Sequence, residues 1–354
     1  MAQHFSRSKR YRDLQSWDTD NMTEEQAWEK FVMARWGSLS IMPCPRCGTV
    51  DKHYRRATRH QWCCKHCDHV FSVTSGTPFQ GRRLPFRKLL KLIRLLCNAP
   101  KGLAANAILG ELGVAYRTAY QNLGKIREAI FLTQNLNPLH GVVQIDGGHF
   151  CGKPRRPQFR NKMTAAMANH YLRNRKASIV PPQAGIKLEP WNKEKLKNRR
   201  IVLVLRQIKP AERIITVIVS AETRQHVLPV IQKYVATNST IQTDDGGAYS
   251  SLSAWYEHEV VRHSETYCTP DGIHNNYAES FFSRMRRSEY GVHHGMRPQY
   301  LAFYAATMAW IEVQRESALR EKMEDLCQRI LSCDISLAFR GYCQGRHLGF
   351  EYLG

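Results

Sequence analysis

Apolar positions change their period partway along the chain, from helical spacing in the first part to strand-like runs in the second. From Thr23 to about Trp36, the apolar residues Trp28, Phe31, Val32 and Trp36 form a helical stripe, and Thr23 with Gln26 has capping-box spacing. Pro85 to Cys97 is helical again, with Leu89, Leu90, Leu92, Ile93, Leu95 and Leu96. Helices from about Leu103 to Leu112 and from Tyr116 to Leu132, with Gly113 between them, complete a helix-turn-helix layout. Strand-like runs follow: Val142, Val143 and Ile145 end at Asp146, then come Ile201 to Leu205 and Ile214 to Val219, and Ile241 leads to Asp244. A helix from about Gln225 to Val235 precedes the last of these, so the pattern predicts a mixed α/β sheet. Residues from Arg297 to about Leu331 read as helical, and nothing stands out beyond Cys333.

Residues 153–200 interrupt the strands with a basic segment containing Pro181, Pro182 and Gly185, which reads as an insertion or a solvated linker. The boundaries expected from these shifts are 1–80, 81–137, 138–320 with the insertion inside it, and a C-terminal tail at 321–354. A chain of 354 residues has room for about two or three such units.

Charge narrows the partners. Lys and Arg outnumber Asp and Glu by 52 to 30, a net charge of +22, and such a field attracts polyanions, nucleic acid first among them. An anionic membrane surface is the rival, but mean hydropathy is −0.47 and no run has the apolar length of a membrane span. The first residues lack the apolar stretch of a secretory signal, so the eleven cysteines are expected in a reducing cytosol, with some of them holding metal.

Cys44-Pro-Arg-Cys47 and Cys64-Lys-His-Cys67 are paired knuckles sixteen residues apart, a spacing that suits a four-cysteine zinc site. Four soft thiolates in tetrahedral array match zinc, and each knuckle delivers two of them from one turn. Cys63 is a weaker competitor for the metal, and His66 and His69 are expected to be exposed. Basic residues also decorate the helical segment. If the helix from Tyr116 enters a major groove, Tyr116, Arg117 and Gln121 meet base edges; the plainer reading is a three-helix core with a solvated basic face.

Asp146 and Asp244 are each expected at a strand end, where α/β sheets place functional side chains. Side by side they repel unless a cation lies between them, and hard oxygen ligands select Mg²⁺ or Mn²⁺. The third piece is the run from His274 to Arg287. On a helix Ala278, Phe281 and Met285 share an apolar face, while Glu279, Ser283 and Arg286 share another. Glu279 either completes a metal site or merely caps the helix with Asn276, and Arg286 can hold a phosphate.

These segments, in this order, resemble the DDE transposases of bacterial insertion sequences, in the group with an N-terminal zinc ribbon and a ribonuclease-H-like catalytic domain. The resemblance runs from about Trp28 to Arg315. It rests on the two knuckles, Phe71 to Phe79, Lys101-Gly102, Asp146 to Lys153, Thr243-Asp244 to Tyr249, and Asn276 and Glu279 with Arg286. It implies a ribonuclease-H-like mixed sheet flanked by helices, preceded by a zinc ribbon and a helix-turn-helix. It implies Asp146 and Asp244 as metal ligands, Glu279 or Asn276 as the third, and Asp245 as a second choice. Arg286 would meet the DNA end, and Lys153 matches the Gly-Lys after the first Asp. Departures are Gly147-Gly148-His149-Phe150-Cys151, where relatives more often carry a Glu and aromatic residues, and the long 153–200 segment.

The activity implied is cleavage of element ends, then joining of their 3′-hydroxyls to target DNA by two-metal-ion chemistry. Structural Zn²⁺, catalytic Mg²⁺ or Mn²⁺, double-stranded DNA, a homodimer or larger assembly on it, no membrane, and a bacterial cytoplasmic, nucleoid-associated location go with that reading. The alternatives are a non-catalytic zinc-dependent DNA-binding regulator and a nuclease that cuts without joining.

Overall fold

The computed structural model describes Phe5 and residues 8–151, 199–261 and 275–354. After a short helix, α1 (Ser16–Asp20), helix α2 (Glu24–Trp36) opens on the expected capping box: Thr23 Oγ1 accepts the Gln26 N–H, and the Gln26 side chain accepts that of Thr23. Strands β1 (His53–Arg56), β2 (Gln61–Cys64) and β3 (Val70–Ser72) form a small antiparallel sheet. Its Trp62 packs between Trp28 of α2 and Phe71 of β3, at ring distances of 5.4 and 5.8 Å.

Helix α3 (Phe86–Cys97) begins after Pro85, which has no side chain able to cap it. Glu24 of α2 does so instead, its two carboxylate oxygens accepting the N–H groups of Phe86 and Arg87 at 2.7 and 3.1 Å. A negative charge at that end also matches the helix dipole. Short α4 (Leu109–Leu112), preceded by a 3₁₀ turn, and long α5 (Tyr116–Leu132) follow with Gly113 between them.

The second body is a five-stranded sheet of β4 (Val142–Cys151), β5 (Arg199–Lys209), β6 (Arg213–Val219), β7 (Thr240–Asp244) and β8 (Glu257–Val261). Its order is β6-β5-β4-β7-β8, with β4, β5 and β6 antiparallel and β4, β7 and β8 parallel. Alternate residues of a strand face opposite sides. Ile201, Leu203 and Leu205 pack under helix α6 (Arg224–Tyr234). Val202 and Val204 pack under α7 (Asn276–Ser288) and α8 (Pro298–Val313).

Two expectations are corrected here. β4 does not end at Asp146, because β5 pairs with it as far as Cys151, opposite Arg199. Arg199 and Arg200 therefore belong to β5 rather than to the insertion, the rest of which lies outside the described residues. Nor is 321–354 a tail. Helix α9 (Leu319–Ser332) buries Leu319, Met323, Leu326, Ile330 and Leu331 in the same core as α2, α3 and α5. Beyond it, buried Glu128 of α5 accepts the N–H groups of Leu337 and Ala338, each at 2.9 Å.

Glu312 of α8 braces the two layers. It is buried, and Arg284 of α7 grips it with two hydrogen bonds of 2.9 and 2.7 Å, while the buried Arg206 of β5 lies 3.4 Å away. Removing one member of such a group leaves a buried charge uncompensated, at a cost of about 3–5 kcal/mol. Glu312→Ala is accordingly expected to lower the unfolding free energy by about that much, read from chemical denaturation.

Candidate active site and metal centre

β4 and β7 pair in parallel from Val142 and Thr240 to Gln144 and Gln242, and the pairing stops there. Asp146 and Asp244 each lie two residues further on, so both emerge on the face shared by the two glutamines. Gln144 is completely buried. Its Nε2 donates to Gln242 Oε1 at 3.0 Å, and its Oε1 accepts the N–H groups of Tyr277 and Ala278 at 3.1 and 3.4 Å. One carboxamide thereby joins β4 to β7 and docks the start of α7.

Helix α7 begins at Asn276, with Asn275 as its N-cap and no side-chain cap bond. The capping box of Asn276 with Glu279 does not form, since the helix starts one residue earlier than that alternative requires. Ala278, Phe281 and Met285 are buried, while Glu279, Ser283 and Arg286 are exposed, as the helical faces predict. Asn276 is exposed at the helix start and Asp245 is exposed beyond β7.

Asp146 shows what this convergence costs. Its carboxyl is pushed up to about 7 by burial first, then by Asp244, with Glu222 and Glu279 adding to the effect and a 2.7 Å hydrogen bond from the Gly147 N–H opposing it. Glu222 was not found from the sequence. It follows β6 on a loop, accepts a 2.8 Å hydrogen bond from the Tyr249 hydroxyl, and lies against Gly147. A Cβ at 147 would come 2.3 Å from Glu222 Oε1, and one at 148 would come 2.5 Å from the Phe282 ring. The two glycines after Asp146 therefore admit an acidic side chain and helix α7, which accounts physically for that departure from the expected pattern. Had the glycine pair been read as a close approach, it would have been the sequence signal for a partner there.

Next to these carboxylates is an open cleft of about 470 Å³ lined by Asp244, Glu222, His149 and Arg199. Burial first, then the charges of Arg199 and Arg286, hold His149 below its ordinary value. Arg286 also lies over the Phe282 ring at 5.9 Å.

In the small sheet, Cys44 and Cys67 sulfurs are 3.7 Å apart and those of Cys47 and Cys64 are 3.5 Å apart. All four lie within 4.8 Å of one another, and among the described residues no other set of three or more His, Cys, Asp or Glu is gathered so tightly. A disulfide is far shorter, at about 2.05 Å. Tetrahedral zinc with bonds of about 2.3 Å separates its sulfurs by about 3.8 Å, close to these values. The knuckles turn alike: Gly48 and Asp68 both have positive φ, and their N–H groups reach back to the carbonyls of Cys44 and Cys64. Cys63 faces away and donates to the Asp68 carbonyl. By contrast, Asp146, Asp244 and Glu279 are not drawn within 4.8 Å as a set.

Residues expected to meet DNA from α5 and beyond β4 differ in where they stand. Tyr116 and Arg117 are exposed at the start of α5. Gln121 is not available: its Nε2 donates to the Phe339 carbonyl at 2.9 Å and its Oε1 accepts from Cys343, so the C-terminal residues cover it. Lys153 lies outside the described residues.

Residues 138–312 match the ISXO2-like transposase domain, and residues 22–70 match the transposase zinc-ribbon domain. The chain belongs to the ISXO2-like transposases. The first match runs from just before β4 into the last turn of α8 and holds Asp146, Glu222, Asp244, Asp245 and Glu279; the second runs from just before α2 to the start of β3 and holds all four cysteines. An ISXO2-like domain is a DDE transposase catalytic domain, so the chain acts on DNA as an enzyme and the regulator alternative falls away. No protein of curated function matches it closely. Among the described residues no helix is long and apolar enough to cross a membrane.

Two outcomes follow. Stripping metal with a chelator is expected to release one zinc per chain and to change tryptophan emission, because Trp62 lies two residues from Cys64 and packs on Trp28; a chromogenic zinc indicator and fluorescence read both. For Asp146, a carboxyl raised in the folded state stabilises the fold below its ordinary value of 3.8 and loses that contribution as pH rises through about 7. In cation-free buffer, Asp146→Asn should therefore stabilise the protein progressively more from about pH 4 to about pH 7 and level off above that, measured as the melting-temperature difference from wild type.

Proposed function

We propose that this transposase cuts DNA at the ends of its element and joins the freed 3′-hydroxyls to target DNA, with Asp146, Asp244 and Glu279 holding Mg²⁺ or Mn²⁺. The observation that carries the reading is the approach of carboxylates from β4, β7 and α7: burial first, then the charges of Asp244, Glu222 and Glu279, push the Asp146 carboxyl up to about 7. Such a cluster is stable in its ionised form only with cationic charge beside it, and all-oxygen donors suit hard divalent ions. Glu279 is preferred to Asn276 because its charge reaches Asp146 and because a carboxylate binds such ions more strongly than an amide. Divalent ions bound there would activate the attacking oxygen and stabilise the leaving one.

The remaining groups bind and orient. Arg286, two turns along α7 from Glu279, is positioned to hold a phosphate of the DNA end, and Arg199 adds positive charge to the cleft. The Tyr249 hydroxyl steadies Glu222 beside the ligands. Tyr116 and Arg117 contact DNA from α5, and the zinc ribbon is a structural clip on that same body. Joining two ends to one target calls for a homodimer or larger assembly on DNA.

Asp146→Asn and Asp244→Asn should each lower Mg²⁺-dependent end cleavage by more than about 100-fold, the upper range for losing even an indirect metal partner. Duplex binding, read by electrophoretic mobility, should stay near wild type. Full cleavage by both variants would overturn the assignment. Failure of wild type to join a pre-cleaved end would leave a nuclease only.

A further inference from the structure

A second cleft, of about 800 Å³, lies between α5, α8 and the residues around Tyr342, away from the carboxylates. Its walls carry Arg117, Arg127 and Arg297 together with Tyr116, Tyr120 and Tyr342, and no carboxylate among the described residues lines it. Arg127 is the informative one. It is 3% exposed, donates one hydrogen bond to the Leu103 carbonyl at 2.6 Å, and lies over the Tyr304 ring at 4.5 Å. Among the described residues no carboxylate pairs with it. Adjacent Glu128 does not serve, because its oxygens are taken by Ser336, Leu337 and Ala338. A buried guanidinium without an anion is costly, so this one is provided for a charge that arrives with a ligand.

The cleft also offers aromatic faces in a row. Tyr116 stacks on Tyr120 at 5.9 Å, and Tyr120 meets Tyr342 at 4.9 Å. His293, 4.7 Å from Tyr304, is held down to about 3 by burial and by Arg127, so it adds a neutral ring. Cations for phosphate beside π-faces for bases are the chemistry of unpaired nucleic acid, since a base inside a duplex presents only its edges.

We propose that this cleft takes one or two unstacked nucleotides of a DNA strand, with a phosphate on Arg127 and a base against the tyrosines. The proposal rests on the chain being a DNA-handling enzyme but not on its carboxylate assignment. It is tested with zinc-loaded full-length protein in cation-free buffer, using a duplex with a short single-stranded overhang that carries 2-aminopurine, against the blunt duplex. Wild type and Asp146→Asn should both bind the overhang at least about 10-fold more tightly, with a change in 2-aminopurine emission, as stacking of one base allows. Arg127→Lys and Tyr342→Ala should each remove most of that preference while leaving blunt-duplex binding within about threefold. Tyr342 is only half-buried on the cleft wall, so its variant reports even where substitution of Arg127 unsettles the fold. Equal binding of both probes by wild type, or displacement of the overhang by inorganic phosphate alone at similar concentration, would overturn the proposal. Lost cleavage in the carboxylate tests with the overhang preference gone from wild type would sink this inference and spare the catalytic assignment; full cleavage there with the preference intact would do the reverse.

Discussion

A single buried carboxamide sets the geometry on which the catalytic face depends. Gln144 has no water to fall back on, so each of its polar atoms must find a protein partner or cost the fold dearly. It finds them on two other elements, Gln242 of β7 and the first N–H groups of α7. The first bond holds the parallel register that places Asp146 beside Asp244. The second holds the helix N-terminus that carries Glu279 one turn further on.

Burying and gathering acidic side chains is unfavourable, and the raised proton affinity of Asp146, due to burial first and to its acidic neighbours second, records that cost. The surroundings hold them in place. Apolar layers grip both faces of the central strands, and the arginines on Glu312 pin α7 and α8 to β5. At the rim the balance reverses, with Arg199 and Arg286 exposed. The charge pattern thus separates a negative floor, suited to cations, from a positive surround, suited to DNA.

The N-terminal body follows a related logic. Its small sheet has little core of its own, so Trp62 leans on Trp28 of α2, and α9 returns from the far end of the chain to close the helices. The ribbon and the helix-turn-helix segment consequently share one core, and a DNA contact on either is mechanically tied to the other.

Features that depend on neighbours in the chain were legible directly. The paired knuckles, the Thr23 capping box, the β-branched runs and the two faces of the 276–288 helix are all written within a turn or two of sequence. Asp146, Asp244 and Glu279 were singled out as candidates by combining those faces with the family resemblance. What depends on distant segments was not legible. Glu222 reaches Gly147 only because β5 and β6 fold back beside β4; Gln121 is occupied only because residues near Phe339 lie across α5; α9 is core only because it returns to the first helices. The sequence by itself determined which short elements form and which side chains could do chemistry, since backbone hydrogen bonding and side-chain periodicity are local. Only the tertiary structure decided which of those side chains meet, because burial and charge act between residues that the chain keeps far apart.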